Sequence, residues 1–393
     1  MYRLTKLEVD NFKALDDFSM DIDPLTVIIG DNASGKSSVL QVLAFLKSAC
    51  TATVSEYLSN RRLAVEDLVS NLFPTPKKIM KFALNFADEK ELVRWEISFF
   101  TEKSKGKIEL RSEKVQVAGK IFLLYDSAEA YRFSEKHSDR EAIAQGVYTS
   151  SQISFIDLKR GAEAYPHLCQ IKQFFLATEP LDLLMPRDMR RSARGDARTL
   201  GQSGERLPAL IQQLTPEENR QLQFNMQQMI PQIAAVKAVV HGRPGWAHIE
   251  TEEQFVKKQV TISSTGLSDG TLRLMALFSL GFLKKSGGIT LLDEVEDGIH
   301  SGNVHSFFVF LKQYYHDNQQ QVMLTTHSTV FLDEVPPAAI RYLYRDEKGF
   351  VLCKKFLELQ DVQQQLEYLY PGEVILNMDK KQVAASFRTA DHD

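Results

Sequence analysis

The sequence predicts an α/β protein with a mixed sheet core, an antiparallel β subdomain and an inserted helical lobe. Three observations predict this class. Short apolar runs at Leu25–Ile29, Ile289–Leu292 and Val322–Thr325 each stand beside a helical pattern, as strands buried on both faces do. From about 79 to 125, apolar and aromatic residues alternate with polar ones, the period of half-buried antiparallel strands. Between about 160 and 240 the pattern turns helical.

Taken in order, Leu25–Ile29 is a β-branched run stopped by Gly30, followed by a glycine-bearing loop. A helix over Ser37–Lys47 follows, with Val39, Leu40, Leu43, Ala44 and Leu46 at helical spacing. Met80, Phe82, Leu84 and Phe86 form one alternating set, and Val93, Trp95, Ile97 and Phe99 a second. Two shorter strands are expected around Ile108–Leu110 and Ile121–Tyr125. The polar stretch from about 128 to 150 reads as loop or exposed helix. Thr215-Pro216-Glu217-Glu218 starts a helix: Thr caps, Pro takes the first position and Glu218 completes the box. Leu222, Met226, Met229 and Ile230 give it one apolar face, with the methionines as core filling, and Pro231 stops it. Leu272–Leu283 and Val304–Tyr315 read as helices flanking the last two buried strands. The expected division is 1–150, an N-terminal lobe with the glycine loop and antiparallel subdomain; 151–260, a helical insertion lobe; and 261–393, a C-terminal lobe sharing the core sheet.

Composition narrows the classes. Of 393 residues, 44% are apolar and 25% charged, which excludes a largely disordered chain, a collagen-like fibre and a disulfide scaffold. With 47 Lys+Arg against 51 Asp+Glu the net charge is −4, so any nucleic-acid contact must come from a local patch. Cys50, Cys169 and Cys353 form no CxxC pair, which leaves zinc and redox motifs unsupported and favours a reducing compartment. No apolar leader and no run of 18 apolar residues is visible; a cytoplasmic protein with no membrane span is expected.

The strongest motif is Gly30-Asp31-Asn32-Ala33-Ser34-Gly35-Lys36-Ser37, which matches GxxxxGK[ST] between a strand and a helix. Its glycines let backbone N–H groups cradle phosphate oxygens, and the helix N-terminus adds positive dipole. Lys36 reaches the β and γ phosphates, and the Ser37 hydroxyl is a hard oxygen ligand for Mg²⁺. The run Ile289–Leu292 ends in Asp293 and Glu294, two carboxylates at a sheet's carboxyl edge. Asp293 would hold Mg²⁺, and Glu294 would orient the attacking water. Leu267-Ser268-Asp269-Gly270 opens a helix 25 residues before Asp293, where Ser268 and Gly270 can face an anion or simply cap the helix. Thr325-Thr326-His327-Ser328 follows the last buried strand, 33 residues past Glu294, so His327 could donate to the γ-phosphate.

In this order the four motifs resemble the ABC-type ATPases of the RecF, SMC and overcoming-lysogenization-defect kind, a group of AAA family ATP-binding proteins. Asn11-Phe12-Lys13-Ala14-Leu15 is similar to that family's opening. The specific likeness covers residues 1–48 and about 260–335. It implies a P-loop NTPase fold of ABC-ATPase type. It makes Gly30, Asn32, Gly35, Lys36, Ser37 and Ser38 the Walker A site, Asp293 and Glu294 Walker B, and Ser268 and Gly270 the signature. His327 becomes the switch histidine and Glu296–His300 the D-loop. It further implies a head-to-head homodimer with two ATPs sandwiched between P-loop and partner signature. Val295 and Ser301 stand where the family often has Pro, and Asp269 replaces the second residue of the transporter-type SGG. A Q-loop glutamine is expected between about 60 and 75 or near Gln152, and none is assigned.

Three functions follow. The first is an ATPase that dimerises on ATP and acts on nucleic acid or gates a nuclease or toxin; a RecF-like repair ATPase is its near variant. The second is the ATPase subunit of a membrane transporter, and the third a scaffold holding ATP. The 232 residues between Lys36 and Ser268 leave room for a lobe that compact transporter subunits lack, and the presence of Glu294 argues against a scaffold. Only 66 residues follow His327, too few for a TOPRIM nuclease, and no long heptad run or HNH cluster is visible. The resemblance therefore points to a stand-alone ATPase subunit of an anti-phage system with a separate effector. Arg187, Arg190, Arg191, Arg194 and Arg198 would share one helical face for phosphate contact, or form a solvated face paired to Asp182, Asp188 and Asp196.

Overall fold

The computed structural model describes residues 1–51, 54–75, 77–102, 106–126, 129–133, 141–142, 166–181, 184–240, 242, 245–283, 287–379, 383–384 and 386–387. The chain opens with β1 (Arg3–Asp10), β2 (Phe18–Asp21), β3 (Leu25–Gly30), α1 (Lys36–Thr51) and α2 (Val54–Arg61). Six strands follow: β4 (Ile79–Ala87), β5 (Leu92–Glu102), β6 (Lys107–Val117), β7 (Lys120–Asp126), β8 (Glu129–Phe133) and β9 (Glu141–Ala142). Then come α3 (Pro166–Ala177), β10 (Glu179–Leu181), α4 (Pro186–Met189), α5 (Leu207–Gln213) and α6 (Pro216–Met229). A meander of β11 (Ile233–Val240), β12 (Ala247–Phe255) and β13 (Lys258–Ser263) leads to α7 (Asp269–Ser279). The last part alternates: β14 (Ile289–Leu292), α8 (Val304–Asp317), β15 (Gln321–Thr325), α9 (Thr329–Glu334), β16 (Ile340–Arg345), β17 (Val351–Lys355), α10 (Val362–Gln365) and α11 (Pro371–Asn377).

The central sheet runs β10-β14-β15-β3-β16-β17, parallel except for the edge strand β17. Its middle strand comes from the N-terminal part and all its other strands from beyond residue 178, so the two ends of the chain share one core, as the sequence predicts. Alternate residues serve opposite faces. Ile28, Ile289, Leu291 and Met323 pack into a core with α1, α3 and the inner face of the antiparallel sheet β2-β1-β4-β5-β6-β7-β8-β9. Val27, Ile29, Leu292, Val322 and Leu324 pack into a second core with α5, α6, α7 and α8. Helix α1 is therefore clamped between two sheets, which explains why eleven of its sixteen residues are buried.

Two expectations need correction. Residues 233–240, read as part of a helical stretch, form β11, paired antiparallel with β12. The reason is tertiary: Ile233 and Val236 are fully buried in the second core, and pairing with β12 overrides the helical grammar before Pro231. The inserted lobe is thus helices plus a three-stranded antiparallel sheet. In the stretch read as loop or exposed helix, the described residues Glu129–Phe133 and Glu141–Ala142 are strands that extend the antiparallel sheet from β7. The rest of that stretch, with Gln152, lies outside the described residues. The capping box at Thr215 and Glu218 forms as the sequence predicts, with Thr215 N donating to Glu218 at 2.8 Å.

Candidate nucleotide site

Strand β3 ends at Gly30, whose φ of 145° belongs to glycine territory. Neighbouring β16 runs so close that a Cβ there would sit 2.2 Å from the Leu343 carbonyl oxygen. Ala33 (φ 63°) and Gly35 (φ 96°) continue the left-handed turns that fold the loop over the start of α1. Lys36, the first residue of α1, is 7% exposed, and its Nζ donates to the Gly30 and Asp31 carbonyls at 2.9 Å each. Burial pulls its pKa below the usual lysine value, against the opposing pull of Asp293, Asp31, Glu294 and Glu296. The Ser34 hydroxyl is buried in the same loop with no hydrogen-bond partner. Ser37 and Ser38 follow in the first turn of α1, which carries no acidic residue. A lysine held inside the loop by two backbone carbonyls, an orphaned hydroxyl and a sixteen-residue helix N-terminus together fit a bound polyphosphate.

The two other strand ends converge here. β15 lies between β14 and β3, with Leu324 opposite Leu292 and Thr325 opposite Ile28. All three strands are parallel, so the loops after Gly30, Leu292 and Thr325 leave one edge of the sheet. Asp293 is half-buried, and its Oδ1 accepts from the Thr325 hydroxyl at 2.5 Å. Glu294 is exposed, takes a left-handed φ of 47°, and donates its N–H to Thr325 Oγ1 at 2.8 Å. The Glu296 carboxylate accepts from His327 N at 2.6 Å through Oε1, while its Oε2 is buried without a hydrogen-bond partner. The His327 ring is exposed at the same edge. The donor set of a hydroxyl and a carboxylate suits a hard cation. Among the described residues no group of three or more His, Cys, Asp or Glu side chains could hold a metal alone. Substrate phosphates would therefore have to complete the shell around Ser37 and Asp293.

The Leu267–Gly270 segment, expected to be the signature, is built differently. Ser268 caps α7, its Oγ accepting from Thr271 N at 3.1 Å, so the capping reading holds. Its described hydrogen bonds stay within its own turn and reach none of the P-loop residues. Gly270 lies against Gly298: a Cβ at Gly270 would meet the Gly298 carbonyl oxygen at 2.7 Å. One turn on, Arg273 pairs with Asp297. The structure thus gathers Gly30–Ser38, Asp293, Glu294 and His327 at one edge, leaves Ser268 as the cap of α7, and sets Gly270 and Arg273 against the segment after Glu294.

The arginine run does not form one helical face. Helix α4 covers only Pro186–Met189, and Gly195 (φ 90°) turns the chain. Arg187 and Arg191 lie 3.9 and 3.6 Å from Asp188, Arg198 pairs with Asp196 at 2.7 Å, and Arg194 stacks 5.1 Å over Trp246. Asp182 lies outside the described residues. Arg190 reaches the Leu267–Gly270 segment, donating to Asp269 at 2.6 Å and to the Leu267 carbonyl at 2.8 Å. Sequence reasoning gave no role to Arg190 beyond its neighbours, and none to Thr325 or Arg273. The one available signal was the hydroxyl of Thr325 at the end of an otherwise apolar buried strand.

The chain has the fold of known SMC heads. It aligns with an SmcHead bound to the C-winged helix domain of ScpA at 14% identity and a TM-score of 0.53, over 89% of this chain and 96% of that one. An Smc head domain from Pyrococcus furiosus, with an extended coiled coil and bound to the C-terminal domain of ScpA, aligns at 13% identity and 0.51, over 93% and 100%. The Smc head domain with a coiled coil and joint from Pyrococcus yayanosii aligns at 12% and 0.50, over 93% and 100%. At such identities the likeness shows the fold alone, a P-loop ATPase head with a mixed sheet. No curated protein matches the chain. Among the described residues no helix is long and apolar enough to cross a membrane. Residues 25–333 match the family described as "AAA domain, putative AbiEii toxin, Type IV TA system", and with the loop after β3, the carboxylates after β14 and His327 all inside that span, the chain belongs to that family of AAA ATPases.

Proposed function

We propose that this chain binds and hydrolyses ATP, that two copies close around two nucleotides, and that the closed state gates a separate nuclease or toxin, with nucleic acid as a sensed ligand, in cytoplasmic anti-phage defence. The observation that carries the reading is the convergence of Lys36, Asp293, Glu294 and His327 on the carboxyl edge of three adjacent parallel strands. Lys36 and the loop N–H groups bind the phosphates. Glu294, exposed at the edge, orients water for in-line attack, and His327 donates to the γ-phosphate. Mg²⁺, held by Ser37 and Asp293, would neutralise charge between the β and γ phosphates. Ser268 and Gly270 bond only locally in one copy, so they are available to the γ-phosphate bound by the other.

The family match and the sequence resemblance support the defence role. The exposed side chains of Arg187, Arg191 and Arg198 leave a nucleic-acid contact open to them. Glu294→Gln tests the core of the proposal. The isosteric amide should keep ATP binding, lower turnover at least 100-fold and accumulate an ATP-bound dimer on size-exclusion chromatography. Turnover equal to wild type would refute the role of Glu294. For the defence role, cells carrying the gene with its neighbours should resist phage, and Lys36→Ala should abolish that resistance. Equal plaque counts with and without the intact cluster would refute it.

A further inference from the structure

Thr325 ties together three consecutive residues of the neighbouring strand end. Its hydroxyl donates to Asp293 Oδ1 at 2.5 Å, the same oxygen accepts the Glu294 N–H at 2.8 Å, and its carbonyl accepts the Val295 N–H at 3.2 Å. The residue is 0% exposed, and the three before it, Val322, Met323 and Leu324, are buried and apolar. A buried hydroxyl is costly unless bonded, and valine would fill this space without that cost. Here both the donor and an acceptor position of the hydroxyl are used, and both partners belong to the Asp-Glu pair. Glu294 also sits at φ 47°, a left-handed conformation that disfavours non-glycine residues. Its N–H needs a partner to hold that turn. The Thr325 oxygen supplies one.

The geometry assigns Thr325 as a positioning residue of the site, the side chain that fixes the Asp293 carboxylate that would hold a cation and keeps Glu294 in its left-handed turn. Fully buried, it acts through the Asp293 carboxylate and the Glu294 backbone. The inference rests on reading the site as a Mg²⁺-dependent ATPase. Without the hydroxyl, Asp293 is free to rotate and the Glu294 N–H is left unsatisfied. A displacement of about 1 Å at such a site costs on the order of 100-fold in rate. Lys36 and its loop are untouched by the change, so affinity for ATP should hold.

The test compares Thr325→Val with Thr325→Ser. For a positioning hydroxyl, Val should lower kcat about 30- to 100-fold with KM for ATP within about threefold, and Ser should stay within about threefold of wild type. In parallel, Mn²⁺ is titrated into the ATP-loaded protein and followed by electron paramagnetic resonance. Val should raise the half-saturating concentration about tenfold, the effect of one lost charge-assisted hydrogen bond, and Ser should not. A residue that merely fills space predicts the opposite order, because Val keeps the volume and Ser loses a methyl group. If Val does not fold, Thr325→Ala takes its place, since Ala and Ser differ by the hydroxyl alone. Wild-type values in Val for both readouts, or Ser as impaired as Val, would overturn the assignment. If wild type binds Mg²⁺ and ATP but does not turn over, the hydrolysis reading fails by itself, and the cation titration still decides Thr325.

Discussion

Lys47 offers a quantitative check on how α1 is clamped between the two sheets. It stands near the end of α1, half-buried, with Nζ donating to the carbonyl of Thr178 where α3 meets β10. Desolvation pulls its pKa down from 10.5 to about 8. The sign follows directly. Between pH 8 and 10.5 the unfolded chain holds a proton that the folded chain has released, so stability rises with pH across that window. A pKa difference of about 2.5, at 1.36 kcal/mol for each unit, gives about 3 kcal/mol in total, of which about 2 kcal/mol falls between pH 8 and 10. That figure is a ceiling, because solvent screens a half-buried group in part. The assay is urea unfolding of wild type and Lys47→Met at pH 7, 8, 9 and 10. Other lysines, tyrosines and cysteines titrate alike in both chains and cancel in the difference. Wild type should gain on the variant by 1–2 kcal/mol from pH 8 to 10, roughly half of that ceiling or more. A flat or falling difference would show that the ammonium is solvated and that the contact with Thr178 is loose.

Lys36→Ala should weaken ATP binding at least 100-fold, measured with a fluorescent nucleotide, because the buried ammonium expected to meet the phosphates is lost. Gly30→Ala should destabilise the fold by about 3 kcal/mol, read by calorimetry, since its Cβ would lie 2.2 Å from the Leu343 oxygen. Gly270→Val should leave ATP binding within twofold but weaken ATP-driven association at least tenfold in sedimentation, because it drives the start of α7 away from Gly298. Arg190→Glu, which sets a like charge against Asp269, should do the same. Changing Arg187, Arg191 and Arg198 to Ala should spare association. If all three touch duplex phosphates, the log–log salt slope of nucleic-acid binding should fall by about 3.

The parts legible in the sequence are those encoded by consecutive residues. Gly30–Ser37 carries its turn glycines, its lysine and its hydroxyl in one stretch. Leu292-Asp293-Glu294 and Thr326-His327 carry chemistry at the ends of unmistakable buried strands. What was missed joins residues far apart in the chain. Thr325 to Asp293 spans 32 positions, His327 to Glu296 spans 31, and Arg190 to Asp269 spans 79. Nothing local marks such pairs; only the parallel register of β14 and β15 creates the first two. β11 was missed for a related reason. Ile233-Ala-Ala-Val-Lys-Ala-Val-Val is weakly patterned, and its strand character comes from β12, which follows it. The arginine run misled because spacing suggested a face where Gly195 turns the chain.

The position of β3 has a consequence for how the protein is made. Its two neighbours in the sheet, β15 and β16, emerge from the ribosome some 300 residues later, and β14 more than 250 later. Until then the strand that carries the phosphate loop has both hydrogen-bonding edges bare and apolar side chains on both faces. The nascent chain can complete its antiparallel sheet early, from β1 to β9, but it cannot build a nucleotide site until Arg345 is out. A half-made chain should therefore be inert toward ATP and sticky along β3. Such long-range closure is slow, and it makes the unfinished protein a natural client for a chaperone.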